Sequence, residues 1–163
     1  MENVAEQARR MAALLPQIAR NLRAAALIET VRPGLTTAQH MALFILRDGD
    51  ADGLAVSQLA HELGVSVPTV TGMADRLVEA GMLTRVHSET DRRVVLLRLS
   101  RDGLEVADKL REVLEDIITR ILKDMSPEAQ RTMTDAMEQV FALSQQVRKE
   151  ETALAAADNG ATS

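Results

Sequence analysis

The stretch that decides the fold is residues 64–103, GVSVPTVTGMADRLVEAGMLTRVHSETDRRVVLLRLSRDG. Ser66 is a good N-cap for a helix that carries Pro68 in its first turn, and Gly81 marks the end of that helix. Just upstream, residues 56–63 predict a short helix that ends at a glycine-containing turn. Two helices joined by such a turn form a helix-turn-helix unit.

Two short strands are predicted directly after this unit. Residues 82–87 (MLTRVH) and 94–99 (VVLLRL) are rich in β-branched and aliphatic side chains, and the polar residues 88–93 (SETDRR) separate them. This pattern predicts a β-hairpin with a charged tip, in the position of a wing. The predicted fold class is therefore mainly α with a small β-hairpin wing (α+β), a winged helix-turn-helix.

Long helices are predicted on both sides of the winged unit, because apolar residues there step by three and four. The three apolar seams are Val4, Ala8, Met11, Leu15, Ile18, Leu22 and Ala25; then Ala107, Leu110, Leu114, Ile117 and Ile121; and last Ala129, Met133, Ala136, Val140, Leu143 and Val147. Since Phe44 and Phe141 are the only aromatic residues, one chain has few large side chains with which to cover three seams. We expect a homodimer held by the N-terminal helix and the last two helices. The alternative is that the core of a single chain absorbs the seams.

These patterns predict four segments. Residues 1–34 form an N-terminal dimerisation helix, which ends before a proline and a glycine. Residues 35–101 form the winged helix-turn-helix region, whose first helix begins with a capping box between Thr36 and Gln39. Residues 102–150 form the C-terminal dimerisation helices, and residues 151–163, which lack apolar periodicity, are predicted to be a disordered tail.

Composition excludes several kinds of site and partner. The chain has no cysteine, which rules out disulfides, thiol redox sensing and thiolate metal sites. The polar N-terminus does not resemble a signal peptide and no apolar run reaches the ~20 residues of a membrane span, so we expect a cytoplasmic protein without a membrane partner. The net charge of −5 does not by itself suggest a nucleic-acid partner, although residues 54–101 hold six Lys or Arg against five Asp or Glu, and the rest of the chain holds thirteen against nineteen.

No pattern of a catalytic, cofactor or metal site stands out. There is no arrangement of nucleophile, base and acid, no phosphate-binding loop and no cofactor fingerprint, so we expect no enzymatic activity and no cofactor. Residues 48–53 (DGDADG) begin like an EF-hand calcium loop, but the twelfth position, where that loop needs glutamate, is Leu59. The histidines His40, His61 and His87 have no short ligand spacing, so we predict no metal site.

The 64–103 stretch resembles the core of MarR-type winged-helix regulators. The pieces that carry the resemblance are Gly64-Val65-Ser66, Pro68-Thr69-Val70-Thr71, Asp75-Arg76-Leu77, Gly81-Met82-Leu83, Asp91-Arg92-Arg93 and Leu99-Ser100. The flanking helices lie where that family has its dimerisation domain, so the resemblance covers about residues 1–150. It implies a sequence-specific regulator of transcription, a repressor that binds double-stranded DNA at an inverted-repeat operator and is released by a small organic anion. The competing hypothesis is a helical protein-binding adaptor without DNA recognition.

The second helix of the unit provides most of the candidate DNA contacts. Val70, Met73 and Leu77 are expected to pack inward. The opposite side carries small residues and one long cation, namely Ser66, Pro68, Thr69, Thr71, Gly72 and Arg76. Small hydroxyl-bearing residues let a helix lie deep in the major groove, and Arg76 is long enough to reach a phosphate. Several relatives carry arginine where this chain has Gly72, so base readout is expected to rely more on Pro68, Thr69 and Thr71. The alternative for Arg76 is a solvated charge pair with Asp75.

In the wing, the resemblance implies that Arg93 enters the minor groove. Asp91 is expected to orient the Arg93 guanidinium, and Arg92 to contact phosphate. A merely solvated hairpin tip is the alternative. On the first helix of the region, His40 lies where relatives carry a bulky aromatic residue near a small-molecule pocket. Two interpretations of His40 stay open: a partly buried structural histidine, or a residue that contacts the effector or responds to pH.

Overall fold

The computed structural model describes residues 3–22 and 24–160, without the side chains of residues 24, 25, 148, 149 and 151–160. The helices and strands are, in chain order, α1 Val4–Asn21, α2 Ala24–Val31, α3 Thr37–Asp48, β1 Leu54–Ala55, α4 Val56–Leu63, α5 Val67–Glu79, β2 Leu83–His87, β3 Val95–Leu99, α6 Arg101–Lys123 and α7 Pro127–Gly160. They divide into two compact units, Met1–Ile117 and Ile118–Ser163. No helix in the described part combines the length and the apolar character that crossing a bilayer requires.

The core of the first unit lies where α3, α4, α5, the strands and the start of α6 meet. Its fully buried side chains include Leu43 of α3, Leu59 of α4, Val70 and Leu77 of α5, and Leu97 of β3. The predicted inward face of α5 is confirmed. Each such side chain stabilises the fold by roughly 1.5–3 kcal/mol relative to an exposed one, so burial fixes which face α5 presents outward.

The wing is a sheet of three antiparallel strands in the order β1-β3-β2. The predicted hairpin of β2 and β3 is present, with Leu83 opposite Leu99 and His87 opposite Val95. The two-residue strand β1, which pairs Leu54 with Leu97, was missed because it is too short to show a periodicity. It follows Gly53, which has a φ of +97°, and a Cβ there would lie 2.5 Å from the Leu97 carbonyl oxygen. Only glycine fits this approach without strain.

The carboxylates of the acidic loop between α3 and β1 each have a different partner. Asp48 Oδ1 accepts from Arg111 at 3.2 Å, Asp50 Oδ1 accepts from the Asp52 amide at 3.0 Å, and Asp52 Oδ1 lies 3.4 Å from Arg98. Within the described residues, no three histidine or carboxylate groups are placed to hold a metal ion together. The loop therefore joins α3, α6 and the sheet by ion pairs.

A second ion pair ties α3 to α6. Arg47 Nε donates to Asp108 Oδ1 at 2.8 Å, and this hydrogen bond raises the pKa of the Arg47 guanidinium. Because arginine is charged throughout the physiological range, the shift has no consequence for pH dependence. The start of α6 is thereby held against the end of α3.

The N-terminal segment departs from its prediction. The single seam predicted a single helix, whereas the structure has two, α1 and α2. The amide of Leu22 donates to the carbonyl groups of both Ile18 and Arg20, and this tight turn closes α1. α1 has no buried residue, and its apolar side chains, such as Leu15 at 61% exposure, lie open. In α2, Ile28 and Val31 pack with Leu110 of α6 in a small second cluster.

The second unit contains the end of α6 and all of α7. Ser126 Oγ accepts the amide of Ala129 at 3.2 Å, which confirms the predicted N-cap before Pro127. Within the described side chains of α7, the exposed large apolar residues are Met137, Val140, Phe141, Leu143 and Val147. α7 extends through Gly160, into the tail for which disorder was predicted, and residues 161–163 lie outside the described part. The disorder of this tail and the four-segment division stay predictions.

Two helical glycines give opposite predictions for stability. At Gly103 an added Cβ would collide with the Met82 carbonyl oxygen, whereas at Gly72 it would meet nothing within 4 Å. We expect Gly103→Ala to lower the free energy of unfolding by about 1–3 kcal/mol, the range for overpacking. Gly72→Ala should raise it by roughly 0.5–1 kcal/mol, because alanine loses less backbone entropy in a helix. Urea unfolding followed by circular dichroism measures both, and shifts of the same sign would contradict the packing described for α6.

Candidate nucleic-acid interface

The turn of the helix-turn-helix unit is closed by backbone hydrogen bonds. Gly64 ends α4 in the left-handed conformation, with φ of 66°. Its amide donates to the His61 carbonyl at 3.2 Å, and the Val65 amide donates to the Ala60 carbonyl at 3.1 Å. Ser66 then begins α5 as its N-cap. The sequence motif Gly64-Val65-Ser66 therefore forms the predicted turn and sets where α5 starts.

The outward face of α5 is exposed and, apart from Arg76, carries only small side chains. It contains all six residues predicted from the sequence for this helix: Ser66, Pro68, Thr69, Thr71, Gly72 and Arg76. The hydroxyl oxygens of Ser66 and Thr69 lie 2.8 Å apart, and Thr71 Oγ1 donates to the Val67 carbonyl at 2.9 Å. These hydrogen bonds hold the hydroxyl groups against the helix while lone pairs and methyl groups stay accessible. Such a face can approach a base edge closely.

Asp75, next to Arg76 on α5, pairs with a residue that sequence reasoning missed. Its Oδ1 lies 2.6 Å from Nη2 of Arg85, on β2. The alternative of a charge pair between Asp75 and Arg76 is therefore not what the structure contains, and Arg76 has no ion pair with any residue in the described ranges. No sequence signal identified Arg85, because its closeness to Asp75 depends on how the sheet packs against α5.

The wing tip is organised by two polar side chains. Ser88 Oγ accepts from the amides of Thr90, at 3.3 Å, and Asp91, at 3.4 Å. Asp91 Oδ1 accepts from the backbone amide of Arg93 at 2.9 Å, and the Val94 amide donates to the Asp91 carbonyl at 2.9 Å. In this structure the Asp91 carboxylate therefore contacts the Arg93 backbone, and its role in orienting the Arg93 guanidinium stays a prediction. An aspartate two residues before a free amide closes an Asx turn, and this short-range contact takes the carboxylate.

Arg92 and Arg93 are both exposed at this tip, and neither makes an ion pair with a described residue. The backbone beside them is fixed, since Nδ1 of His87 on β2 lies 2.9 Å from the Arg92 carbonyl oxygen. A carbonyl oxygen only accepts, so Nδ1 carries the proton in this hydrogen bond. The wing tip therefore presents two free guanidinium groups on a backbone held by Ser88, Asp91 and His87.

His40 lies apart from this surface, on α3, and is fully buried. The interpretation as a partly buried histidine underestimated its burial, since Gln39, Ala42 and Leu43 on the same helix are buried as well. Nδ1 lies 3.0 Å from the Thr36 carbonyl oxygen, and Nε2 has no partner among the described residues. A cavity of about 270 Å³ in the first unit has a different lining: Val31, Arg32, Met82, Asp102, Glu105, Val106 and Lys109.

The region with this geometry has known relatives. Residues 35–95, from the approach to α3 to the start of β3, match the MarR family. This region belongs to the MarR family. This confirms the resemblance carried by the 64–103 stretch, and the winged helix with long flanking helices confirms the predicted fold class. The MarR family is one of transcriptional regulators and not of enzymes, as the absence of catalytic patterns suggested.

The curated relatives that share this MarR-family region are bacterial regulators. The chain is 33% identical over 84 residues to the HTH-type transcriptional regulator YfiV of Bacillus subtilis (strain 168), which covers 52% of each protein. It is 40% identical over 73 residues to the HTH-type transcriptional repressor MdtR of the same organism, covering 44% of this chain and 45% of MdtR. The chain thus spans about half the length of the curated relatives it matches.

Solved structures share the fold over more of the chain. A MarR family protein from Bacillus stearothermophilus matches with a TM-score of 0.74 and 25% identity, over 88% of this chain and 99% of that one. FabT from Streptococcus pneumoniae, in complex with DNA, matches with a TM-score of 0.71 and 24% identity, over 85% of this chain and 98% of FabT. CouR from Rhodococcus jostii RHA1, bound to p-coumaroyl-CoA, matches with a TM-score of 0.61 and 18% identity, over 80% of this chain and 90% of CouR.

Proposed function

We propose that this MarR-family chain is a sequence-specific, double-stranded-DNA-binding regulator of transcription, a repressor that acts in the cytoplasm. One observation carries the proposal: one compact unit holds both an exposed helix face of small side chains and a wing tip whose two arginines form no ion pair with a described residue. The DNA complex of FabT and the name of the repressor MdtR support it.

In this proposal α5 is the recognition helix and lies in the major groove. The groove, about 12 Å wide, admits an α-helix, and small side chains at its surface allow close approach to base edges. Thr69 and Thr71 offer methyl groups and oxygen lone pairs to bases, while Ser66 and Pro68 lie at the helix start. Gly72 has open space where a Cβ would stand, so the groove wall can come nearest there. Arg76, one turn further along, contacts phosphate.

The wing supplies the second set of contacts. Arg93 enters the adjoining minor groove, where a narrow A·T-rich segment has a strongly negative potential. Arg92 contacts phosphate. Asp91 contributes by closing the turn that carries Arg93, rather than by touching DNA.

Charge favours this surface over the rest of the chain. Asp75 is paired with Arg85, and the Asp91 carboxylate accepts a backbone amide, so these two carboxylates have partners. Arg76, Arg92 and Arg93 form no ion pair with a described residue and stay available to phosphate. Residues 54–101 carry a net charge of +1, and the rest of the chain carries −6. Phosphate binding is therefore confined to the recognition helix and wing, and long-range attraction to DNA is weak.

We propose further that the protein is a homodimer. The apolar side chains of α1, in the first unit, and of α7, in the second, are exposed in the single chain. Val4, Met11, Leu14, Leu15 and Ile18 line α1, each at least 49% exposed. An apolar stripe of this size is unusual on a monomer and favours burial against a second copy. A two-fold dimer would recognise an inverted repeat whose half-sites lie about one helical turn apart, on the order of 10 base pairs.

An effector that releases the repressor would bind without covalent chemistry, because the chain has no thiol. We propose a small organic anion with a hydroxyl donor, and His40 as its contact. The His40 Nδ1 proton is donated to Thr36, so Nε2 is a buried acceptor that lacks a donor. A phenolic O–H would satisfy it, and reaching a fully buried nitrogen would require α3 to shift, which couples binding to the DNA-binding region. CouR, with p-coumaroyl-CoA bound, supports an organic ligand for this fold.

The DNA-contacting residues are expected to have separable effects. Arg93→Ala should weaken operator binding by roughly 1–3 kcal/mol, most on sites with narrow A·T-rich flanks. Arg92→Ala should weaken all sequences evenly and flatten the salt dependence by about one unit, as a lost phosphate contact does. Thr69→Ala should change which bases are preferred in each half-site. The measurement is binding of the wild type and these variants to an operator library at several salt concentrations.

Equal profiles for Arg92→Ala and Arg93→Ala would mean that the wing supplies only charge. If the wild type bound no duplex with steep salt dependence, the helical protein-binding adaptor would be the better hypothesis.

The dimer is tested at α1. Replacing Leu15 and Ile18 by glutamate should dissociate it, because two charges would then lie in the interface without partners. Analytical ultracentrifugation at micromolar concentration gives the mass of each species. Glutamate at Ala13 and Gln17, on the side of α1 away from this seam, serves as a control for loss of helix. A wild type that sediments as a monomer would disprove the dimer.

The effector proposal is tested with para-hydroxybenzoate and with benzoate, which lacks the phenolic O–H. We expect the first to raise the melting temperature and weaken operator binding of the wild type, and both effects to be lost in His40→Phe. Equal effects of the two compounds would remove the role assigned to Nε2. Release from DNA by sub-millimolar peroxide alone would instead point to methionine oxidation.

A further inference from the structure

The ion pair between Asp75 of α5 and Arg85 of β2 joins the recognition helix to the wing. The carboxylate and the guanidinium lie 2.6 Å apart, while the two side chains remain 56% and 40% exposed. Solvent-exposed ion pairs contribute little to folding, about 0–1 kcal/mol. The pair therefore matters less for stability than for geometry, because it restricts how the exposed part of β2 lies along α5.

The same face of β2 also holds the wing tip. Side chains two residues apart in a strand lie on one side, so Arg85 and His87 share a face. Arg85 reaches back to Asp75, and His87 Nδ1–H donates to the Arg92 carbonyl at 2.9 Å. β2 is an edge strand that pairs with β3. Its first residue, Leu83, is buried in the core with α5, and beyond Leu83 the two polar contacts link β2 to α5 and to the tip.

We propose that Asp75, Arg85 and His87 are positioning residues that set the distance between the wing tip and the recognition helix. This inference rests on the proposed binding of α5 in the major groove and Arg93 in the minor groove. With the distance fixed, the A·T-rich segment contacted by Arg93 must lie at one spacing from the bases contacted by α5. The three residues thereby determine operator specificity without touching a base.

Because Asp75 is negatively charged, a purely electrostatic role and a positioning role predict opposite changes in DNA affinity for Asp75→Asn. An anion beside a DNA interface repels phosphate, so Asp75→Asn should strengthen binding if electrostatics alone operates. If Asp75 acts by holding Arg85, the same substitution should weaken specific binding while non-specific binding is unchanged or stronger. No contribution to fold stability produces this combination.

The experiment measures binding to a library in which the A·T tract is moved by one base pair at a time relative to the half-site. For the wild type, we expect a one-base-pair shift to cost about tenfold in affinity, as the loss of one specific contact does. Asp75→Asn and His87→Leu should flatten this dependence to about twofold or less. The double variant Asp75→Arg/Arg85→Asp keeps the net charge and should restore the wild-type spacing preference.

The matched control is Asp52→Asn, which breaks another exposed ion pair of the sheet, that of Arg98 on β3, away from α5. It should keep the spacing preference. Unfolding curves for each variant show whether the fold is retained. A wild type that binds no duplex would contradict the proposed function itself. A wild type with a spacing preference that Asp75→Asn retains, or tighter specific binding by Asp75→Asn, would overturn the positioning role alone.

Discussion

The structure depends on one packing contact: the burial of Val70, Ala74 and Leu77 of α5 against α3, α4 and the wing sheet. These three side chains lie on one helix face, so their burial fixes the rotation of α5 about its axis. The opposite face, with Thr69 and Gly72, is turned to solvent as a result. The proposed DNA contacts of α5 therefore depend on apolar core residues that do not touch DNA themselves.

The wing is positioned by apolar burial at its base and by polar contacts at its tip. Leu83 and Leu97 anchor the sheet in the apolar interior, but the outer half of the hairpin has no core to pack on. There, short hydrogen bonds and one ion pair determine the geometry, through Ser88, Asp91 and the Asp75–Arg85 contact. Apolar burial thus sets where the wing begins, and polar contacts set where its tip ends. This division makes the tip sensitive to single polar substitutions that would leave stability almost unchanged.

Most of the fold could be predicted from the sequence because its signals are local. The capping box of Thr36 and Gln39, the left-handed Gly64 and the N-cap Ser66 act within five residues, and each is present as expected. What failed depends on three-dimensional proximity. Strand β1 exists because Gly53 lets the chain approach Leu97, and Arg85 meets Asp75 only through sheet packing. The seam before Pro33 predicted one helix, since periodicity continues across the break between α1 and α2.

The position of α1 in the chain has a consequence for biosynthesis. The core of the winged unit draws on residues from Ala42 to Ala107, so it closes only after the start of α6 has left the ribosome. α1 precedes that core in the chain and contributes no buried residue to it. A helix that buries none of its side chains is marginally stable in water, and its apolar stripe stays uncovered while the core residues are made. In the proposed homodimer, that stripe is covered only after two winged units have folded and met.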